Sequence, residues 1–321
     1  MDNNRAVNRP LAALGLCLAC ASCSVTTEKP DPLTLGPVGY LQASDPVPSA
    51  VAPPREPVTA APLTFPFLDG EPEGASVSIG DTTHGRVANA KAVRESASLA
   101  ILPKQKERDL KYGTDELVAL LEHAGARLHA QTGQRLWLGN VGRRDGGDIS
   151  WSVSHNAGRD ADVAFCYLDA KGKPVDPPDL VALGRAGTSK DGTLAFDAPR
   201  TWIVVRAMLE APGTSLQFIF IAEHLKKKLL AHARASREPA ALIERANTVL
   251  RQPGGAAPHD DHLHIRTYCS ARDVAGGCVD GGFVHPFAAV HPEARADAAT
   301  RARALLGDSR DDMRRRALLR L

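Results

Sequence analysis

Residues 259–268 read His259-Asp260-Asp261-His262-Leu263-His264-Ile265-Arg266-Thr267-Tyr268. From His262 to Tyr268 this is a strand candidate, and strand side chains point alternately to opposite faces. His262 and His264 therefore share one face, while Leu263 and Ile265 share the other. That places apolar side chains toward a core and two imidazoles toward a cleft. A second stretch pairs with the first in chemistry: Ser154-His155-Asn156-Ala157-Gly158-Arg159-Asp160-Ala161-Asp162. It runs into a strand candidate, Ala161 to Leu168, in which Val163, Phe165 and Tyr167 share a face and Asp162 looks out opposite them. Gly158 lets the chain turn, so that His155 folds back beside Asp162. Imidazole and carboxylate are good zinc ligands, and a catalytic zinc takes three protein ligands and keeps a position open for water. In a chain with eleven histidines, H-x6-D or H-x-H alone arises by chance roughly half the time. Their occurrence together, with a glycine inside one and an amphipathic strand under the other, points to a metal site.

Working outward, helices and strands are interspersed without regular βαβ repeats, which predicts an α+β fold with an antiparallel sheet. Thr114 is placed to cap a helix with Asp115 and Glu116 in its first turn. Leu117, Leu120, Leu121, Ala124 and Leu128 form its apolar stripe, and Gly133 ends it. Leu136 to Leu138 reads as a short strand and Leu216 to Ala222 as another. Trp202 to Leu209, opened by Thr201, and Ala240 to Leu250 read as helices. His123, His129, His224 and His232 fall on or beside helix patterns, where exposure is expected.

The 321 residues suffice for a sizeable core, and the net charge of +2 with 5% aromatics gives no footprint for nucleic acid. No apolar run reaches the roughly 18–20 residues of a membrane span. Arg5 and Arg9 followed by the apolar run Leu11 to Ala21 read as an export signal over residues 1–23, with Ala21-Ser22-Cys23 resembling a lipoprotein cleavage site. Cys23 is the candidate lipid anchor. Eleven of the 23 prolines fall between Pro30 and Pro72, so residues 24–74 read as an extended tether. The globular domain is expected over residues 75–292 and a basic, helix-patterned extension over 293–321. Export implies an oxidising compartment, which favours a disulfide between Cys269 and Cys278 and leaves Cys166 as a buried thiol. No G-x-S-x-G or S-x-x-K arrangement supplies a serine nucleophile.

The S-H-x-x-G-x-D-x-D and H-D-D-H-x-H segments resemble those of the penicillin-insensitive murein endopeptidases. The resemblance takes in Ser78-Ile79-Gly80, Gly113-Thr114-Asp115-Glu116-Leu117-Val118, the glycines Gly139, Gly146 and Gly147, and Arg200-Thr201-Trp202. It implies a small antiparallel sheet flanked by helices that carries Zn2+ on His155, Asp162 and His264. It further implies that His262 acts as general base or stabilises charge, and that His259 is a second catalytic histidine. The implied substrate is the peptide cross-link of peptidoglycan, at bonds between D-alanine and diaminopimelate, in the periplasm or cell envelope and on an outer-membrane lipoprotein if Cys23 is lipidated. A D-Ala-D-Ala carboxypeptidase and a non-hydrolytic peptidoglycan-binding lipoprotein are the competing expectations. Ser152 stands where the family usually has a further histidine, three residues before His155.

Overall fold

The computed structural model describes residues 74–213, 216–288 and 292–306. The export signal, Cys23 and nearly all of the proline-rich stretch lie outside the described residues.

The sheet that carries the two histidine stretches has six strands in the order Leu250–Arg251, Leu216–Phe220, His262–Thr267, Asp160–Ala164, Leu136–Leu138, Leu99–Ile101. It is mixed, which corrects the small antiparallel sheet expected from the sequence. The four inner strands pair antiparallel, but Leu216–Phe220 with Leu250–Arg251 and Leu99–Ile101 with Leu136–Leu138 are parallel. Parallel neighbours require a long crossover. Here one crossover contains helix Asp115–Thr132, and the other contains Glu223–Ala235 and Ala240–Val249. The α+β class stands, with helices on one face of a sheet extended by these two outer pairs.

The Asp115–Thr132 helix forms as its sequence dictates. Thr114 accepts a hydrogen bond from the Leu117 amide at 3.3 Å, and Gly133 takes φ 72° at the C-terminus. Leu117, Leu120, Leu121, Ala124 and Leu128 are fully buried, each leucine contributing roughly 1.5–3 kcal/mol of transfer free energy. They meet Val163, Leu263 and Ile265 from the sheet in one core. The alternation read from the sequence is thus realised, with Leu263 and Ile265 inward and His262 and His264 on the opposite face.

Two elements differ from the sequence reading by more than a residue or two. The expected strand Ala161 to Leu168 is two strands, Asp160–Ala164 in the main sheet and Tyr167–Asp169 in a separate three-stranded sheet with Pro174–Val175 and Leu194–Phe196. At the break, the Cys166 amide donates to Thr201 Oγ1 and the Cys166 carbonyl accepts from the Asp197 amide. The helix expected from Trp202 begins at Ala198, because Asp197 rather than Thr201 is the cap. Its side chain accepts from the Arg200 amide at 3.0 Å, and Pro199 fits the first turn.

Hairpin Val77–Gly80/Gly85–Ala88 packs beside helices Ala271–Ala275 and Pro292–Leu306. Cys269 and Cys278 form the expected disulfide, packed with Val274 and Ala298. Arg159, 1% exposed, reaches into this region to pair with Asp280 at 3.0 Å and to donate to the Thr267 carbonyl at 2.6 Å. Cys166 is a buried free thiol whose pKa is pushed up to about 12 by burial.

Candidate metal centre

Antiparallel register sets Asp162 directly opposite His264 and Asp160 opposite Arg266. The site face of the sheet therefore begins as two carboxylates facing an imidazole and a guanidinium. His155 joins them from the preceding loop, itself in the left-handed region at φ 75°. For a non-glycine residue that conformation costs of order 1–3 kcal/mol and needs outside support. The loop has that support. The Asn156 amide donates to the Thr82 carbonyl, its carbonyl accepts from the Gly147 amide, and its side chain donates to the Thr83 carbonyl and Asp148. Gly158 takes φ 69° with its Cα face against Val87, where a Cβ would sit 3.1 Å from that side chain. The turn anticipated from Gly158 thus returns His155 to Asp162.

Three imidazoles, those of His155, His264 and His262, are each fixed through the nitrogen that faces away from the centre. His155 Nδ1 lies 2.6 Å from the Val141 carbonyl, which leaves Nε2 pointing at Asp162 Oδ1 at 3.3 Å. His264 Nε2 donates to Asp160 Oδ1 at 2.8 Å, which leaves Nδ1 3.2 Å from Asp162 Oδ1. His262 Nδ1 lies 2.6 Å from Asp261 Oδ1, and its Nε2 lies 3.2 Å from the same Asp162 oxygen. Asp162 is anchored in turn by Asn140 Nδ2, which donates to Oδ2 at 2.9 Å. Gly139 gives it room, since a Cβ there would come within 2.9 Å of the Asp162 Cβ.

Burial and charge explain the protonation pattern. Burial would raise the Asp162 pKa, but the His262 and His155 imidazoles outweigh it and hold the carboxyl well below its ordinary value. Burial would likewise lower His262, but Asp162 and Asp261 raise it to about 10. Asp162, together with Asp160, raises His155 against its burial. His259 is the exception. Burial, reinforced by His264 and His262, pushes it down to about 4, so it is neutral at pH 7. Its ring sits 5.5 Å from that of His262 and 5.6 Å from that of His264.

The donor set fits a small divalent cation. His155 Nε2 and Asp162 Oδ1 are buried with no hydrogen-bond partner, an arrangement expensive to keep without a ligand. Zinc bonds of about 2.0–2.1 Å in tetrahedral geometry imply ligand–ligand edges of about 3.3 Å. The His155–Asp162 and His264–Asp162 separations, 3.3 and 3.2 Å, match that edge. The ligand atoms of His155, Asp162 and His264 lie within 4.8 Å of one another, and so do those of a second triple, His259, His262 and His264. The first triple is wholly buried, and the second is half-buried and shares His264 with it.

All five residues singled out from the sequence come together here. Asp260 and Asp261, equivalent in the sequence reading, separate. Asp261 holds His262, whereas the Asp260 carbonyl accepts from the Leu183 amide. Sequence reasoning missed Asn140, and it missed the orienting role of Asp160. The signal for Asp160 was present in the two-residue spacing from Asp162, which puts both on one strand face. Nothing local marks Asn140, whose role depends on a neighbouring strand. Of the helix-borne histidines expected in solvent, His123, His129, His224 and His232 are half-buried, and His224 Nε2 contacts the Leu183 carbonyl at 2.8 Å. Ser152 lies on the loop whose Trp151 is 54% exposed, with its Oγ 3.4 Å from that of Ser154.

The sequence model of the penicillin-insensitive murein endopeptidase family matches residues 78–282. No curated protein matches the chain.

Proposed function

The chain belongs to the penicillin-insensitive murein endopeptidase family, and on that premise we propose that it uses zinc to hydrolyse D-alanine–diaminopimelate cross-links of peptidoglycan. His155 Nε2, Asp162 Oδ1 and His264 Nδ1 would hold the ion. The observation that carries this reading is the convergence of these atoms, two of them buried and unpartnered, beside a third, independently oriented imidazole, that of His262. When bound, zinc supplies Lewis acidity: it brings the pKa of water toward about 7 and polarises a carbonyl.

The remaining steps belong to the chain. Asp261 fixes His262 Nδ1, so Nε2 faces the reacting centre. With Asp162 engaged by a cation, its pull on His262 is offset, and Nε2 becomes free to take a proton from water and pass it to the leaving amine. His259, kept neutral, retains an N–H that can stabilise charge on the former carbonyl oxygen. Asp160 and Val141 hold the ligand imidazoles in the tautomers that binding requires. No acylated side chain is formed on this route.

In the same reading the working domain is exported and Cys23 tethers it to the envelope through the proline-rich segment. No helix among the described residues is long and apolar enough to cross a membrane.

Metal content of the purified protein and turnover of dimeric muropeptides with and without chelator test the proposal. Dimers should give monomers, with activity lost on chelation and restored by zinc. Release of free D-alanine from single stems would identify a carboxypeptidase instead. His262→Ala should retain metal and lose turnover. If it digests sacculi as fast as wild type, the role assigned to His262 is wrong.

A further inference from the structure

The site face does not stop at the histidines. Strand Leu216–Phe220 places Phe220 across from His264 and Phe218 across from Arg266, and Arg251 lies across from Phe220 on the other side. The Phe220 ring sits 5.4 Å from His264 and stacks on Phe218 at 5.3 Å. His285 stands edge-on to Phe218 at 5.3 Å, and Phe287 stacks on His285 at 5.0 Å. A row of rings thus leads away from the metal-binding residues toward the surface. Its steps of 5.0–5.4 Å give it the reach of a few peptide residues, at about 3.3–3.6 Å each.

Three guanidinium groups lie along this row, Arg266 over Phe220 at 5.3 Å, Arg251 over Phe218 at 5.1 Å and Arg245 over Phe287 at 4.8 Å. Only Arg266 has a carboxylate partner, Asp160 at 2.7 Å. Among the described residues no carboxylate pairs with Arg251 or Arg245, and the buried Arg245 Nε has no hydrogen-bond partner. Phe218 and Phe220 are almost covered, so what faces solvent is the Arg251 side chain and the rims formed by Phe283 and Phe287, 60% and 37% exposed. A guanidinium over a ring can still offer its N–H donors to a planar anion. Arg251, a cation without a carboxylate partner beside exposed aromatic rings, contributes little to a fold, and with those rings it matches a ligand that is apolar and anionic in turn.

We propose that the Arg251–Phe218 shelf with its Phe283/Phe287 rim is a substrate subsite that reads a free carboxylate on the peptide stem. Arg251 receives the carboxylate in a forked, charge-assisted pair, and the two exposed rings receive the apolar parts of the same strand. This rests on the peptidoglycan reading above and goes beyond it by naming which surface of the chain selects the acidic stem.

The test uses the full chain loaded with zinc and an uncross-linked tetrapeptide stem, prepared as the free acid and with its side carboxyl amidated. Calorimetric titration should show tighter binding of the free acid by wild type. Arg251→Gln should weaken the free-acid stem roughly 10- to 100-fold, as expected for loss of a hydrogen bond to a charged group, and leave the amidated stem within about threefold. Arg251→Lys, which keeps the charge without the fork, should fall between. Equal binding of both stems by wild type would overturn the subsite, as would equal losses for both stems in Arg251→Gln, or no loss in a variant with unchanged metal content and melting temperature. Dimer turnover, measured in parallel, separates the two readings. A wild-type chain that discriminates the stems but never cuts dimers would defeat the assigned reaction and leave the subsite standing. A chain that cuts dimers but binds both stems alike would do the reverse.

Discussion

Removing the Asp160 carboxylate should loosen the metal without touching any ligand. Asp160 is fully buried, and its Oδ1 accepts from His264 Nε2 at 2.8 Å and from Arg266 Nε at 2.7 Å. Burial alone would raise its pKa, but Arg266 and His264 hold it well below the usual carboxylate range. It is therefore charged at neutral pH and keeps the His264 proton on Nε2. Asp160→Ala frees the ring to rotate and to carry its proton on the nitrogen that must bind metal. Asp160→Asn keeps an oxygen acceptor and loses the charge. Loss of such an outer carboxylate typically costs 10–100-fold in metal affinity. We expect about 10-fold for the asparagine variant and about 100-fold for the alanine variant, or about 1.4 and 2.7 kcal/mol less stabilisation at saturating metal. The assay is competition for zinc against a chelating dye, joined to thermal melts with and without metal. The metal-free melt isolates the separate cost of leaving Arg266, 18% exposed, without its partner, which is about 1–3 kcal/mol. Variants that bind zinc as tightly as wild type would show that Asp160 does not fix the His264 tautomer, and the assignment of Nδ1 as ligand atom would lose its support.

Three further outcomes follow from the same geometry. In the chelated protein, His262 has its pKa raised from 6.5 to about 10, so its protonation favours the folded state. That contribution is full below pH 6.5 and disappears as pH rises through 10. The chelated melting temperature should drop over this window and zinc should flatten the drop, whereas a chelated melt that rises with pH would contradict it. Arg159→Leu breaks the buried Arg159–Asp280 ion pair and should cost about 3–5 kcal/mol in urea denaturation; a loss below about 1 kcal/mol would show that the pair does not hold the domain together. Cys269→Ser opens a loop of nine residues and should cost about 2.5–3 kcal/mol by chain entropy, and an unchanged melting temperature would refute that contribution.

The site was legible in the sequence where its chemistry follows the strand period. His262, His264 and Asp162 declare their face by alternation with Leu263, Ile265 and Val163, and the burial of those three confirms it. His155 was legible through Gly158, because a tight return of the chain needs a residue tolerant of positive φ. The groups that hold these side chains were less visible. The Val141 carbonyl and Asn140 act from a strand neighbour distant in the chain, and no local pattern encodes which strand will lie alongside. The same limit hid the sheet's extent. Leu99–Ile101 and Leu250–Arg251 are three and two residues of ordinary sequence, and they become strands only when helical crossovers lay them against a partner. Asp197 was passed over as a cap because Thr201 stands nearer the obvious apolar run.

Asp162 and His264 belong to different strands and meet only because those strands are zipped in one particular alignment. A slip of a single residue would turn every side chain of one strand to the other face and carry its donor into the oil of the core. Ion capture would therefore depend on correct zippering: the donors of Asp162 and His264 share a face only when the two central strands are paired in this alignment.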